Sequence, residues 1–147
     1  MCEEDEKQLK ISNFKINEEG LNRFFGALEA KIMNYIWSSG EVTVKEVQQH
    51  INNEKPISFN AVMTVMNRLV DKGHLHKETR GRIAYFKAVQ TKEQFLSEQT
   101  KSVTYGLIEE FGGLAVTHMV DAIRDVNPSL LKKLEEKLNE AKRRNEQ

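Results

Sequence analysis

The sequence predicts a mainly helical fold: three short helices, a two-stranded antiparallel hairpin, and further helices towards the C-terminus. Three observations predict it. Residues 58–73, SFNAVMTVMNRLVDKG, place apolar side chains at helical spacing between a serine and a glycine. Residues 74–89 change to strand-like alternation around an Arg-Gly step. Beyond residue 91 helical spacing returns, in stripes interrupted by Gly112-Gly113 and Asn127-Pro128.

Composition narrows the class. A chain of 147 residues suits one compact domain plus an extension. With 39% apolar and 30% charged residues, it predicts a small core under much solvated helix surface. The sequence has no apolar run long enough for a membrane span, and its N-terminus lacks the basic-then-apolar pattern of a signal peptide. No membrane insertion is expected. The single cysteine, Cys2, excludes an internal disulfide framework and fits a reducing cytoplasm. The net charge of zero is unevenly spread. Residues 1–20 carry three basic and six acidic side chains, residues 21–90 ten and six, and residues 91–147 nine and ten. Positive charge therefore collects on the segment around 58–73, as in a phosphate-binding module with a neutral remainder.

Taken in order, residues 1–20 open on Cys-Glu-Glu-Asp-Glu and read as an acidic flexible extension. The run 27–39, ALEAKIMNYIWSS, predicts a first helix. Leu28, Ile32, Tyr35 and Ile36 share one face, widened by Met33 and Trp37, and Gly40 ends it. Trp37 is expected in the core, where its N–H must find an acceptor. Thr43-Val-Lys-Glu46 is a capping box that opens a second helix to Asn52 or Asn53, buried through Val44, Val47 and Ile51. Pro56 then forces an extended link. Ser58 is the expected N-cap and Gly73 the left-handed C-cap of the third helix. Its apolar face is Val62, Val65, Met66, Leu69 and Val70. Its other face carries Asn60, Thr64 and Asn67, with Arg68 at the shoulder.

Two helices joined by a short turn form a helix-turn-helix, whose second member lies in the DNA major groove. Short or forked hydrogen-bonding side chains with few carboxylates suit that place. The segments 74–79 and 82–89 predict the hairpin, with Arg80-Gly81 at the turn. Leu75, Tyr85 and Phe86 are expected to pack back on the helices. Arg80 and Arg82 then stand at an exposed tip suited to phosphates or a minor groove. Three helices and such a hairpin make a winged helix-turn-helix.

Thr91-Lys-Glu-Gln94 is a further capping box and opens a long fourth helix, with Val103, Leu107, Ile108 and Phe111 on its later apolar side. A fifth helix over 114–125 aligns Val116, Met119, Val120 and Ile123. Asn127-Pro128 is a cap-plus-first-turn signal. The sixth helix spaces Leu131, Leu134, Leu138 and Ala141 as a short coiled-coil seam and ends on Lys142-Arg143-Arg144, which suits the negative end of a helix dipole. These exposed stripes need a partner, and the economical one is a second copy of the same segment. The expected organisation is thus an extension (1–20), a winged-helix DNA-binding domain (21–90) and a helical dimerisation region (91–147). A homodimer would set two recognition helices about one DNA turn apart, or a multiple of that, on a palindromic operator in double-stranded DNA.

The segments LEAKIMNYIW (28–37), AVMTVMNRLVDKGHL (61–75) and GRIAYF (81–86), with the Gly-Gly break, resemble the BlaI/MecI family of penicillinase and methicillin-resistance repressors, which includes copper repressors of CopY type. The resemblance covers about 27–142. It implies a winged helix, a C-terminal dimerisation region and repression by occupying an inverted repeat. The positions matching the family's base contacts are Asn60, Ala61, Met63 and Thr64, with Ser58, Asn67 and Arg68 as phosphate or structural contacts. Ala61 stands where many members have threonine and Met63 where some have arginine, so hydrogen-bond readout is reduced; both side chains suit a thymine methyl. In some members a membrane sensor triggers proteolytic cleavage in the dimerisation region. The similar place here is around Val103 to Leu107, with Thr104-Tyr105 as the expected bond. The family's copper sensors use a C-terminal cysteine cluster, which this chain lacks.

His74-x-His76 would put two imidazoles on one strand face, but no cysteine lies nearby, and the pair reads as surface; no metal and no cofactor are expected. Glu109-Glu110 reads as a solvated helix face. No phosphate loop, G-x-S-x-G or H-E-x-x-H is present, which argues against an enzyme. The alternative function is a winged-helix module that binds protein and not DNA.

Overall fold

The computed structural model describes residues 14–15 and 20–146. The acidic extension read over 1–20, with Cys2, lies outside the described residues but for Phe14, Lys15 and Gly20. After a 3-10 turn at Gly20–Arg23 come α1 (Ala27–Ser39), α2 (Val44–Asn52), α3 (Phe59–Asp71), β1 (Leu75–Arg80), β2 (Ile83–Ala88), α4 (Lys92–Phe111), α5 (Gly113–Val126) and α6 (Leu130–Asn145). The chain divides into two compact units, 1–102 and 103–147, and the division falls within α4. Among the described residues, no helix is long and apolar enough to cross a membrane.

The first unit is a winged helix. Its helices start where side chains satisfy the free N–H groups of the first turn. Thr43 Oγ1 accepts from the Glu46 amide at 3.2 Å, and Ser58 Oγ accepts from the Ala61 amide at 3.1 Å. At Thr91 the box is reciprocal: its Oγ1 accepts from the Gln94 amide at 3.1 Å, while the Gln94 side chain accepts from the Thr91 amide at 2.9 Å. At Thr43 the reciprocal half differs, because the Glu46 carboxylate accepts a hydrogen bond from the Thr43 hydroxyl at 3.2 Å. Helix α3 closes with paired bonds, His74 N–H to Leu69 O and Gly73 N–H to Val70 O. Gly73 has φ of +85°, a backbone that only glycine takes up without strain.

The core forms where the predicted faces meet. Ile32, Met33 and Ile36 of α1, Val47 and Ile51 of α2, and Val62, Met66 and Leu69 of α3 are buried, with Leu75 and Phe86 of the hairpin. Val42 extends the sheet by one rung, exchanging backbone bonds with Phe86 at 2.9 and 2.8 Å. That rung ties the wing to the link between α1 and α2. Trp37 is half-buried, and its Nε1 donates to Gln90 O at 3.0 Å.

The same core takes in an aromatic group that was absent from the predicted core. Phe95, on the first turn of α4, is buried against Phe25 (stacked, centroids 5.0 Å apart), Trp37 (5.4 Å), Phe24 (5.9 Å) and His74 (5.7 Å). Tyr85 corrects the expectation that it packs back beside Phe86. Neighbouring strand residues point to opposite faces, so Phe86 inward sets Tyr85 outward. Its ring lies 4.6 Å beneath the Arg80 guanidinium.

In the second unit α5 and α6 pack on each other. Gly112, with φ of +50°, makes the break before α5. Asn127 closes α5, its own N–H donating to Ile123 O, and accepts the Ser129 hydroxyl; it does not cap α6 through its side chain. Among the described residues of this unit, Ala115 is the one buried apolar side chain.

Candidate nucleic-acid interface

The turn between α2 and α3 is held from both sides. Asn52 Oδ1 accepts from the Ile57 amide at 2.7 Å, and Gln48 Nε2 donates to Ile57 O at 3.1 Å. These two amides fix the angle at which α3 leaves the turn. With Val62, Met66 and Leu69 inward, the outer face presents Phe59, Asn60, Met63, Thr64 and Arg68, while Ala61 and Asn67 are half-buried. No carboxylate occurs from Ser58 to Val70.

Hydrogen bonding narrows what each side chain offers. The Thr64 hydroxyl donates to Asn60 O at 2.8 Å, a bond back onto the preceding turn. The Ser58 hydroxyl is engaged as the cap acceptor. Asn67 Oδ1 accepts from Lys77 Nζ at 3.2 Å, which links the helix to the wing. Asn60 and Arg68 make no side-chain hydrogen bond or ion pair with the described residues.

The two wing arginines differ. The strand register pairs Arg80 with Ile83, so the two-residue turn is Gly81-Arg82, and Gly81 has φ of +64°. Arg80, expected in the turn, is instead the last residue of β1. The reason is that glycine takes the first turn position, where positive φ is needed. Its guanidinium donates twice to Glu41, at 2.8 Å each, and once to Glu78 at 3.0 Å. The Glu41 bonds, then the Glu78 bond, push its pKa further above the ordinary arginine value. The same Arg80 hydrogen bond lowers the Glu78 pKa. Arg82 is exposed and makes no ion pair with the described residues, as is also true of Lys45, Lys55 and Arg68.

His74 and His76 do not share a strand face. His74 precedes β1 and is half-buried, edge-on to Phe25 at 5.1 Å, whereas His76 is exposed. Burial, then Lys72, pushes the His74 pKa down, against an opposing pull from Glu29.

In the second unit, Val103, Leu107, Met119, Ile123 and Leu134 are half-buried, and Phe111, Val116, Val120, Leu131 and Leu138 are exposed. Leu107, Phe111, Leu114, Ala115 and Met119 line an open apolar groove of about 380 Å³. Thr104-Tyr105 lies inside α4, with Tyr105 exposed. Among the described residues, no three His, Cys, Asp or Glu side chains converge to hold a metal ion.

A helix-turn-helix with an outward, carboxylate-free second helix and a two-stranded wing defines the class of winged-helix DNA-binding regulators. The model of the penicillinase repressor family matches residues 25–140, and the chain belongs to that family. It is therefore a winged-helix transcriptional repressor that binds DNA, and not an enzyme. No curated protein sequence matches the chain. Similar solved structures include the DNA binding domain of the repressor BlaI, 22% identical, covering 54% of this chain and 89% of that one at a TM-score of 0.42. A mutant MarR from E. coli complexed with operator DNA is 16% identical over 87% of this chain and 89% of that one, at 0.44. The adhesin competence repressor of Streptococcus pyogenes is 17% identical over 86% and 85%, at 0.39. The family assignment rests on the family match alone.

Proposed function

We propose that the chain is a cytoplasmic homodimeric repressor that occupies an inverted-repeat operator in double-stranded DNA. Helix α3 enters the major groove of each half-site, the wing meets the flanking backbone, and the helices beyond residue 91 join the two copies. Residues 21–90 act as the DNA-binding domain and residues 1–20 as an acidic extension.

The observation that carries this reading is the outer face of α3. It is free of carboxylates and carries the exposed Arg68, which, like Arg82 of the wing, makes no ion pair with the described residues. Asn60, Ala61, Met63 and Thr64 meet base edges, while Ser58, Asn67 and Arg68 position the helix on the backbone. Of the wing arginines, Arg82 makes the phosphate contact. Arg80, braced by Glu41 and Glu78 over Tyr85, holds the wing's shape. Dimerisation is supported by the display of large apolar side chains on α4, α5 and α6, which a solvated monomer would leave in water.

Relief by a membrane sensor protease at Thr104-Tyr105 belongs to the same reading. A protease cleft takes extended backbone, so cutting there requires α4 to open locally. A gel shift on genomic fragments at two salt concentrations tests the proposal. Retention that falls steeply with salt, as phosphate contacts release counterions, supports it. Absence of retention in dilute buffer contradicts it and favours a protein-binding module.

A further inference from the structure

Phe59 was not among the residues that the sequence marked for base contact. It occupies the first position of α3 and is 44% exposed. Met63, one turn on, is 36% exposed. Residues four apart on a helix are neighbours on its surface, so the two side chains form one apolar edge beside the polar positions Asn60 and Thr64.

The polar alternatives along this face are few. The Thr64 hydroxyl proton is committed to Asn60 O, the Asn67 carbonyl to Lys77, and the Ser58 oxygen to the helix cap. Asn60 is then the one side chain in the first turn and a half whose hydrogen-bonding groups remain uncommitted among the described residues. The major groove offers one apolar mark, the thymine C5 methyl, and phenylalanine is among the side chains that meet it.

We propose that Phe59 and Met63 are specificity-determining residues that read thymine methyl groups in each half-site, with Asn60 reading an adjacent adenine. This rests on the placement of α3 in the major groove proposed above. The consequence is a site defined by A·T pairs at the positions under the N-terminal end of α3, where no arginine stands to read guanine. A second occupant of this edge, a hydrophobic protein partner, is disfavoured by the exposed cations of the same unit and by the family assignment.

The test uses the full chain. Duplexes are enriched from a random pool, and the enriched site is then remade with uracil in place of thymine, which removes the methyl and nothing else. Burying one methyl corresponds to about fourfold in affinity. A dimer that uses at least one in each half-site should therefore lose at least about fifteenfold on the uracil duplex, by the same arithmetic. Replacing the thymine-adenine pair by 5-methylcytosine-guanine should retain more binding than cytosine-guanine. Phe59→Ala with Met63→Ala should bind the thymine and uracil duplexes equally.

Equal binding of thymine and uracil duplexes by the wild-type chain overturns the proposal, as does a pool that yields no enriched sequence. In both cases salt-dependent retention can persist, and the DNA-binding reading then stands without it. Loss of all retention overturns both. The thymine-uracil comparison uses the wild-type chain and so does not depend on the variant folding.

Discussion

In the first unit the apolar faces of three helices and a hairpin converge, and Ile32, Val47, Val62, Met66 and Leu69 are sealed from water. In the second unit, helices with stripes as regular as those leave Phe111 51%, Leu114 61% and Val116 51% exposed. Similar patterning thus has two outcomes. Hydrophobic periodicity says that a face will be covered; it does not say by which chain. The winged helix covers its own faces because its segments differ in type and length, so that a sheet and an aromatic plug close the gaps between helices. The later segment has only helices, and among its described residues their packing buries no large apolar side chain. In the homodimer proposed above, a second copy covers these faces.

The contrast is open to breaking, most forcefully at the aromatic plug. Phe95→Ala should cost about 3–5 kcal/mol in urea unfolding, because it opens a cavity among Phe24, Phe25 and Trp37. If stability is unchanged, the first unit does not depend on its own core as described. Leu114→Ser should leave unfolding of the dilute chain nearly untouched, and weaken self-association by about 2 kcal/mol, roughly thirtyfold, as for a central interface residue. Sedimentation over a concentration series reads this. Unchanged association would place the interface elsewhere.

At the DNA face, Arg82→Ala should lower the slope of log affinity against log salt by about one per protomer. Arg80→Ala should change it less, since Arg80 is already engaged by Glu41 and Glu78. Equal effects would return both arginines to the same role. The smallest expected effect is at His74. Burial holds its folded pKa below the ordinary value of 6.5. As pH falls through 6.5 the unfolded chain gains a proton that the folded chain does not. Stability is therefore full above that pH and declines below it, until the folded imidazole also protonates. His74→Leu should flatten this acid-side decline in urea midpoints; a decline of equal steepness would assign it to other groups.

Much of the first unit was legible because its signals are local. The caps at Thr43, Ser58 and Thr91 act within three residues, and the faces of α1, α2 and α3 repeat within one turn. The plug was not legible, since Phe95 meets Phe25 and Trp37 across long stretches of chain and fits no stripe of its own helix. Tyr85 and Phe86 were both expected inside, although adjacent strand residues cannot face the same way. The position of Arg80 turned on a register shift of one residue, set by where Gly81 is needed. On α3 the polar positions were readable from spacing. The exposure of Phe59 was not, because at the first position of a helix an aromatic can point to either side.

The most direct test is the stoichiometry of the full chain on an enriched duplex, measured by sedimentation equilibrium with labelled DNA at two salt concentrations. Two copies per site, with affinity falling steeply as salt rises, is the result expected of a repressor joined through residues beyond 91. One copy per site, or affinity indifferent to salt, would contradict it.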